Sequence, residues 1–312
     1  MHGSLSFSQI QTPNKQATVK EDFQQIEWDS HLAKECEQLV TLAQNEDLSA
    51  THRDLTSSAV IPAEKTGAAA FVARERLTVA GLPVAAIVAQ QYGDDLAFRD
   101  LVSDGSIVEA GDTIAQVAGP VQTLLAAERV MLNFLGRLSG IATQTRQYVD
   151  AVAGTAASIY DTRKTTPGWR RLEKYAVRCG GGRNHRTGLY DAVLIKDNHL
   201  AFGTSADAES HFTPTTAVRR AREHITSLGL NSIVEIEVDT LEQLEVVLPE
   251  QPDIVLLDNM PPDVLRQAKH LRDKLASEVQ LEASGGITID NVRAIALTGV
   301  DRISIGALTH AA

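Results

Sequence analysis

The chain has 312 residues, 43% of them hydrophobic, and a formal net charge of -11, enough for two modest domains or one barrel with additions. An acidic chain without an aromatic-studded basic stripe is a poor nucleic-acid binder, because phosphate neutralisation supplies most of that affinity. No apolar run approaches the roughly 20 residues that span a bilayer. The two cysteines, Cys36 and Cys179, make neither a disulfide framework nor a zinc spacing, which predicts a cytoplasmic protein.

Residues 1–30 are rich in Ser, Gln, Thr and Lys, lack a secretory h-region, and are expected to be disordered. Leu32, Cys36, Leu39 and Ala43 then recur at helical spacing, predicting a helix over 31–44 with Ser30 as its N-cap. From 68 to 121 the pattern changes to short β-type runs at Phe71-Val72, 84–88, Ile107-Val108 and 114–117, punctuated by Gly81, Gly93, Gly105, Gly111 and Gly119. Within it, residues 104–112 resemble the hammerhead of biotin- and lipoyl-carrier domains. A carrier needs a lysine at a hairpin tip and none occurs between Lys65 and Lys164, so a turn-rich β-fold without a prosthetic group is expected. Residues 31–128 are thus predicted to form an α+β sandwich. A long helix over 123–149, with Leu125, Leu132, Leu135 and Leu138 on one side and Gly136 and Gly140 as breaks, should join it to a second domain.

Beyond this helix, short apolar runs at 158–160, 192–195, 233–238, 254–257, 279–283 and 302–305 alternate with helical sequence at 171–177, 216–228, 241–248, 262–275 and 289–297. This βα repeat suits a doubly wound sheet or a barrel. Arg163, Lys196, Glu237, Asp258, Ser284 and Gly306 each follow or close a different run, and a barrel gathers its site from the C-terminal ends of separate strands. An α/β barrel over 129–312 is therefore predicted.

Between 161 and 198 stand Arg163, Lys164, Arg170, Arg171, Lys174, Arg178, Arg183, His185, Arg186 and Lys196, with few carboxylates among them. In an acidic chain such a patch reads as a pocket for a small, highly charged anion. In Asp161-Thr162-Arg163-Lys164-Thr165-Thr166-Pro167-Gly168 the Arg fork suits a carboxylate, the Lys a phosphate, and the Thr hydroxyls add donors. Gly180-Gly181-Gly182-Arg183-Asn184-His185-Arg186 reads as backbone able to approach a ligand, followed by cations. Lys196, closing a strand, could be a fixed cation or a Schiff-base nucleophile. Glu235 and Glu237, two apart, share a strand face. Glu237 and Asp258 either hold Mg²⁺ or its waters, or neutralise the nearby cations. Ser284-Gly285-Gly286-Ile287 and Ser304-Ile305-Gly306-Ala307, after the last two strands, are candidate phosphate turns, with a helix following Ile287.

Taken together, these segments, with Ala127-Glu128-Arg129, Leu138-Ser139-Gly140-Ile141-Ala142-Thr143, Leu257-Asp258-Asn259 and the stretch from Gly306 to His310, closely resemble the quinolinate phosphoribosyltransferases. The resemblance implies an incomplete TIM-like barrel of the type II phosphoribosyltransferase architecture. It implies an enzyme that joins quinolinate to phosphoribosyl pyrophosphate with decarboxylation, giving nicotinate mononucleotide for NAD biosynthesis. Arg129, Arg163, His185, Arg186 and Lys196 would bind the two carboxylates, with Arg129 reaching a neighbouring subunit's site in a homodimer. Lys164, Thr165, Glu237 and Asp258 would handle phosphoribosyl pyrophosphate and its Mg²⁺, with Lys164, Lys196, Glu237 and Asp258 as the catalytic set and no organic cofactor. Ser284, Gly285, Gly286, Ile305 and Gly306 would hold a phosphate. The chain departs from the family in carrying Arg53 before Asp-Leu-Thr, where many members have Gly, and in stopping at Ala312, where the family usually continues into another strand. Other readings of the residues are a Schiff-base aldolase using Lys196 or Lys164, a non-catalytic anion sensor, and a related transferase associated with molybdenum transport.

Overall fold

The computed structural model describes residues 22–49, 53–203 and 212–311. Helix α1 (Ser30–Leu48) is capped by Asp29, whose carboxylate accepts from Leu32 N. Ser30, the expected cap, is instead the first helical residue, displaced by an acceptor whose negative charge also suits the helix dipole. Leu32, Cys36 and Val40 bury its inner face. Helix α2 (Leu55–Val60) is capped in the same way by Asp54, which accepts from Thr56 N and Ser57 N.

The first domain continues with β1 (Thr66–Val72), β2 (Leu77–Thr78), α3 (Leu82–Tyr92), β3 (Ala97–Asp100), β4 (Ile107–Val108) and β5 (Thr113–Pro120). β5 lies between β1 and β3 in an antiparallel sheet, and β2 pairs with β4. Residues 84–88, expected as a strand, lie in α3. Gly81 in the left-handed region and Pro83 near the N-terminus start this helix, and Leu82, Val84, Ala85, Val88 and Ala89 are all buried. A short segment this deeply buried has no polar face to display a helical period.

Helix α4 (Val121–Ala151) runs unbroken through Gly136 and Gly140 and across residues 128 and 129, where the sequence suggested a domain division. Its buried stripe includes Val130, Met131, Phe134, Leu135 and Leu138, but Leu125 and Leu132 are exposed and belong to another face. Tertiary packing along that stripe carries the helix past two residues of poor propensity. The two domains are also tied by Asp104, whose carboxylate accepts from Gly81 N, Leu82 N and the Tyr175 hydroxyl at 2.8, 3.1 and 2.8 Å.

The second domain comprises β6 (Ser158–Tyr160), α5 (Arg170–Cys179), β7 (Val193–Ile195), α6 (Asp197–Phe202), α7 (Pro214–Ser227), β8 (Val234–Val238), α8 (Leu241–Val247), β9 (Ile254–Asp258), α9 (Pro262–Leu275), β10 (Gln280–Ser284), α10 (Val292–Ala296), β11 (Arg302–Ser304) and α11 (Ala307–His310). Its parallel sheet runs β6-β11-β10-β9-β8-β7. This is sequence order with the first strand moved beside the last, the mark of a sheet that curls on itself, whereas a doubly wound sheet reverses direction midway. Arg183 extends the β6 edge by a bridge to Tyr160, and residues 184–192 carry the chain from there to β7. The barrel is therefore incomplete at this point.

Residues 22–29 depart from the expectation of disorder. Phe23 and Ile26 are only 3% and 2% exposed. Phe23 packs with Ala192, Ile254 and Ile233, at or just before the starts of β7, β9 and β8, so it plugs the lower mouth of the barrel. Burying such a side chain contributes about 1.5–3 kcal/mol, which the polar composition of the segment conceals. The expectation for residues 1–21 lies outside the described residues. Among the described residues no helix is long and apolar enough to cross a membrane.

Candidate active site

A cavity of about 570 Å³ opens at the C-terminal ends of the barrel strands, where loops from separate strands converge. The loop after β6 supplies Arg163 and Lys164, and the link across the barrel opening supplies His185 and Arg186. Lys196 directly follows β7, while Glu237 and Asp258 come from β8 and β9. Ser284, Gly285 and Gly286 follow from β10, with Ile305 and Gly306 after β11. Of the residues that the family resemblance assigns to substrate or metal, Arg129 and Thr165 do not line the cavity. Arg129 is exposed on α4. Thr165 accepts from Arg170 Nε at 3.0 Å and so braces the loop. Thr162, Thr288 and His310 line the cavity without having been singled out as ligands.

Among the described residues three cations of this cavity, Arg163, Lys164 and Arg186, form no ion pair. Among the described residues no carboxylate pairs with Arg163, and its Nε is buried without a hydrogen bond. Arg186 is 7% exposed, and its guanidinium donates to Ala192 O at 3.1 Å. Burial, and next the charge of Arg163, pull the Arg186 pKa down. Glu235 and Asp191 offset part of this repulsion without pairing with Arg186, and an anionic ligand would relieve the rest.

The rest of the cation patch divides differently from its appearance in sequence. Arg171 pairs with Glu35 and Asp29, Arg178 with Glu27, and Arg183 with Asp22. The compensating carboxylates thus come from the N-terminal segment and α1, far away in sequence. Lys174 is fully buried, bonded to Asp161, and donates to His185 O at 2.8 Å. Asp161 also accepts from His185 N at 2.8 Å and from Asn184 Nδ2 at 2.7 Å. Burial pushes the Asp161 carboxyl up and the Lys174 ammonium down, and their mutual attraction opposes both shifts.

The glycine triplet also has another role. A Cβ at Gly180 would lie 2.4 Å from Ala142 O, and one at Gly182 2.7 Å from Thr145 Cγ2. These glycines admit α4 and not a ligand. Gly285, in contrast, lies in the cavity wall with φ +88°, where a Cβ would meet Asn259 Oδ1 at 2.6 Å. The helix expected after Ile287 begins only at Val292 and has five residues, so the Ser284–Gly286 turn offers its own backbone and not a helix N-terminus. At Gly306 a side chain would meet Lys164 Cδ at 2.9 Å, and the Lys164 carbonyl accepts from Thr309 Oγ1 at 2.6 Å. The loops after the first and last strands are thereby locked together.

Period two along β8 turns both glutamates inward. Glu237 sits at the cavity with its carboxylate on Lys196 Nζ, which favours a fixed cation at Lys196 over a desolvated Schiff-base amine. Glu235 is fully buried, 2.9 Å from His185 Nε2, with Glu282 3.6 Å away. Arg186 N donates to His185 Nδ1 at 2.8 Å, which in the neutral ring leaves the proton on Nε2, facing Glu235. Burial opposes charge on His185, but the two facing carboxylates outweigh it and raise its pKa. His185, Glu235 and Glu282 form a compact group with ligand atoms within 4.8 Å of one another, deeper than Glu237 and Asp258. For Mg²⁺, the oxygen-only donors Glu237 and Asp258, open to the cavity, are the better fit to a hard cation.

Family models match nearly the whole of this two-domain architecture: residues 54–139 match the quinolinate phosphoribosyl transferase N-terminal domain, and 141–312 its C-terminal domain. The chain belongs to the quinolinate phosphoribosyltransferase family. It is 45% identical to the nicotinate-nucleotide pyrophosphorylase [carboxylating] of Mycobacterium leprae, over 82% of this chain and 87% of that one. It is 34% identical to quinolinate phosphoribosyltransferase [decarboxylating] 2, mitochondrial, of Nicotiana glauca, over 90% of this chain and 80% of that one. The solved nicotinate-nucleotide pyrophosphorylase from Francisella tularensis superposes with a TM-score of 0.83 at 36% identity, covering 93% of this chain and 96% of that one. The two-domain plan with its incomplete barrel is thus common to this chain and the family.

Proposed function

We propose that the protein transfers the phosphoribosyl group of phosphoribosyl pyrophosphate to quinolinate and releases CO2, giving nicotinate mononucleotide and pyrophosphate in NAD biosynthesis. The observation that carries this reading is the Arg163 and Arg186 pair, two guanidiniums in the cavity that, like Lys164 beside them, form no ion pair among the described residues. Quinolinate brings two carboxylates beside a pyrophosphate, and like charges 4 Å apart repel by roughly 4 kcal/mol at an effective dielectric of 20. Charge-assisted hydrogen bonds of about 1.5–3 kcal/mol each offset that repulsion.

In this reading Arg163, Arg186 and Lys196 hold the dicarboxylate, while His185 supports its floor. Lys164 and the Ser284, Gly285, Gly286, Ile305 and Gly306 backbone take phosphate oxygens. The ring nitrogen attacks the ribose C1 as pyrophosphate departs, and Lys164 stabilises the leaving group. Glu237 and Asp258 would hold Mg²⁺, which supplies charge neutralisation on the pyrophosphate. The quaternised ring then accepts the electron pair left when the adjacent carboxylate departs as CO2, so the chemistry calls for no organic cofactor. Nicotinate lacks that second carboxylate and would leave a buried guanidinium unpaired, the strong form of discrimination.

Arg129 belongs to the same reading. Leu125, Arg129, Leu132 and Gly136 succeed one another at three- and four-residue spacing on an exposed face of α4. A second copy packed there would bury both leucines and carry each Arg129 toward the other's site, so a homodimer with shared sites is part of the proposal. The free Cys36 and Cys179 suit a reducing cytoplasm. The test is incubation with quinolinate, phosphoribosyl pyrophosphate and Mg²⁺: nicotinate mononucleotide should form, and its absence from folded protein refutes the reading.

A further inference from the structure

The residues 184–186 cross the barrel opening, where no strand of the sheet pairs with them. Asp161 and Lys174 hold them from one side, and the N-terminal segment holds them from the other. Gln25 treats Asn184 as a strand partner would: its Oε1 accepts from Asn184 N at 2.8 Å and its Nε2 donates to Asn184 O at 3.2 Å. Ile26 N donates to Asn184 Oδ1 at 2.7 Å. One residue further on, the Phe23 ring lies 4.4 Å from the His185 ring, tilted by 32°. The segment is itself anchored by Asp22, which accepts from Arg302 Nη1, Arg183 Nη1 and the Tyr160 hydroxyl at 2.8, 3.0 and 2.7 Å. The next residue, Arg186, reaches the cavity.

We infer that residues 22–26 are a positioning element for the dicarboxylate end of the site, because Gln25 and Phe23 hold Asn184 and His185 from beneath the cavity that Arg186 enters. The inference rests on the transferase reading. It separates the two substrates: among the described residues the phosphate turns after β10 and β11 make no hydrogen bond or ring contact with Phe23, Gln25 or Ile26, whereas the link that carries Arg186 is held by them. Among the described residues Asp22 and the Phe23 ring meet β11 at Arg302, at the strand's opposite end.

The experiment is steady-state kinetics on the full chain carrying Gln25→Ala, Phe23→Ala or Phe23→Tyr, together with hydrogen exchange at the His185 and Arg186 amides. Gln25→Ala and Phe23→Ala should raise the quinolinate KM on the order of tenfold while the phosphoribosyl pyrophosphate KM stays within about twofold. Phe23→Tyr, which keeps the ring, should restore the parent value. Amide exchange at residues 185 and 186 should quicken while that of β8, β9 and β10 is unchanged. An active parent whose alanine variants keep their quinolinate KM and amide protection overturns the inference alone, as does an equal loss for both substrates. A parent with no turnover of quinolinate overturns the functional reading and this inference together.

Discussion

Lys174 and Asp161 form an ion pair inside the barrel wall with neither side chain exposed to solvent. Each also holds the main chain of His185, the lysine through its carbonyl and the aspartate through its amide. The pair therefore couples the loop that bears Arg163 to the link that bears Arg186.

Removing one partner leaves a buried charge unanswered. Lys174→Met should cost about 3–5 kcal/mol of stability, measured by urea unfolding. Adding Asp161→Asn to that variant should recover part of the loss, since the uncompensated carboxylate is then gone. Additive losses would argue against the ion pair as the source.

Arg186→Ala should weaken quinolinate binding by about ten- to a hundredfold, the equivalent of one charge-assisted contact, and leave phosphoribosyl pyrophosphate binding nearly unchanged. Calorimetric titration of each substrate separates the two. Equal losses would refute this division of the cavity.

Much of this architecture was legible in sequence, for physical reasons. The strands of the barrel are buried on both faces and read as short apolar runs, and polar residues at their ends, Lys196, Glu237 and Asp258 among them, cannot belong to a core. What escaped is what depends on partners remote along the chain. Nothing local to Lys174 distinguishes it from Arg186, yet one is buried against Asp161 and the other enters the cavity. Likewise the order of residues 22–29 comes from Arg302, Arg183 and Asn184, more than 150 residues away. Gly180 looked like a ligand approach because tight helix packing and ligand approach demand the same absence of a side chain.

Asp22 offers a pH test. Burial raises its pKa, but Arg302, Tyr160 and Arg183 outweigh burial and hold the carboxyl below its ordinary range. Its contribution is therefore present at neutral pH and is lost as pH falls through the folded value, below about pH 4. Asp22→Asn should cost about 2 kcal/mol near pH 7, and the gap between parent and variant should narrow under acid. A gap that widened on acidification would contradict the assignment.

Gly285→Ala places a side chain at φ +88° and within 2.6 Å of Asn259 Oδ1. Strain and displacement together should cost about 1–3 kcal/mol at the turn, read as a raised KM for phosphoribosyl pyrophosphate with little change for quinolinate. An unaltered KM would remove this turn from the phosphate site.

If Arg129 serves the neighbouring site, Arg129→Ala and Lys164→Ala proteins should each be nearly inactive, yet regain part of the activity when unfolded and refolded together. Mixed dimers would then contain one site with both residues intact. No recovery from verified mixed dimers would show that Arg129 does not serve the neighbouring site.

The most direct test of the central claim uses quinolinate carrying an isotopic label in the carboxylate next to the ring nitrogen. With phosphoribosyl pyrophosphate and Mg²⁺, labelled CO2 should appear mole for mole with pyrophosphate, and the nucleotide formed should be unlabelled. Pyrophosphate released without labelled CO2, or a nucleotide that retains the label, would contradict the account.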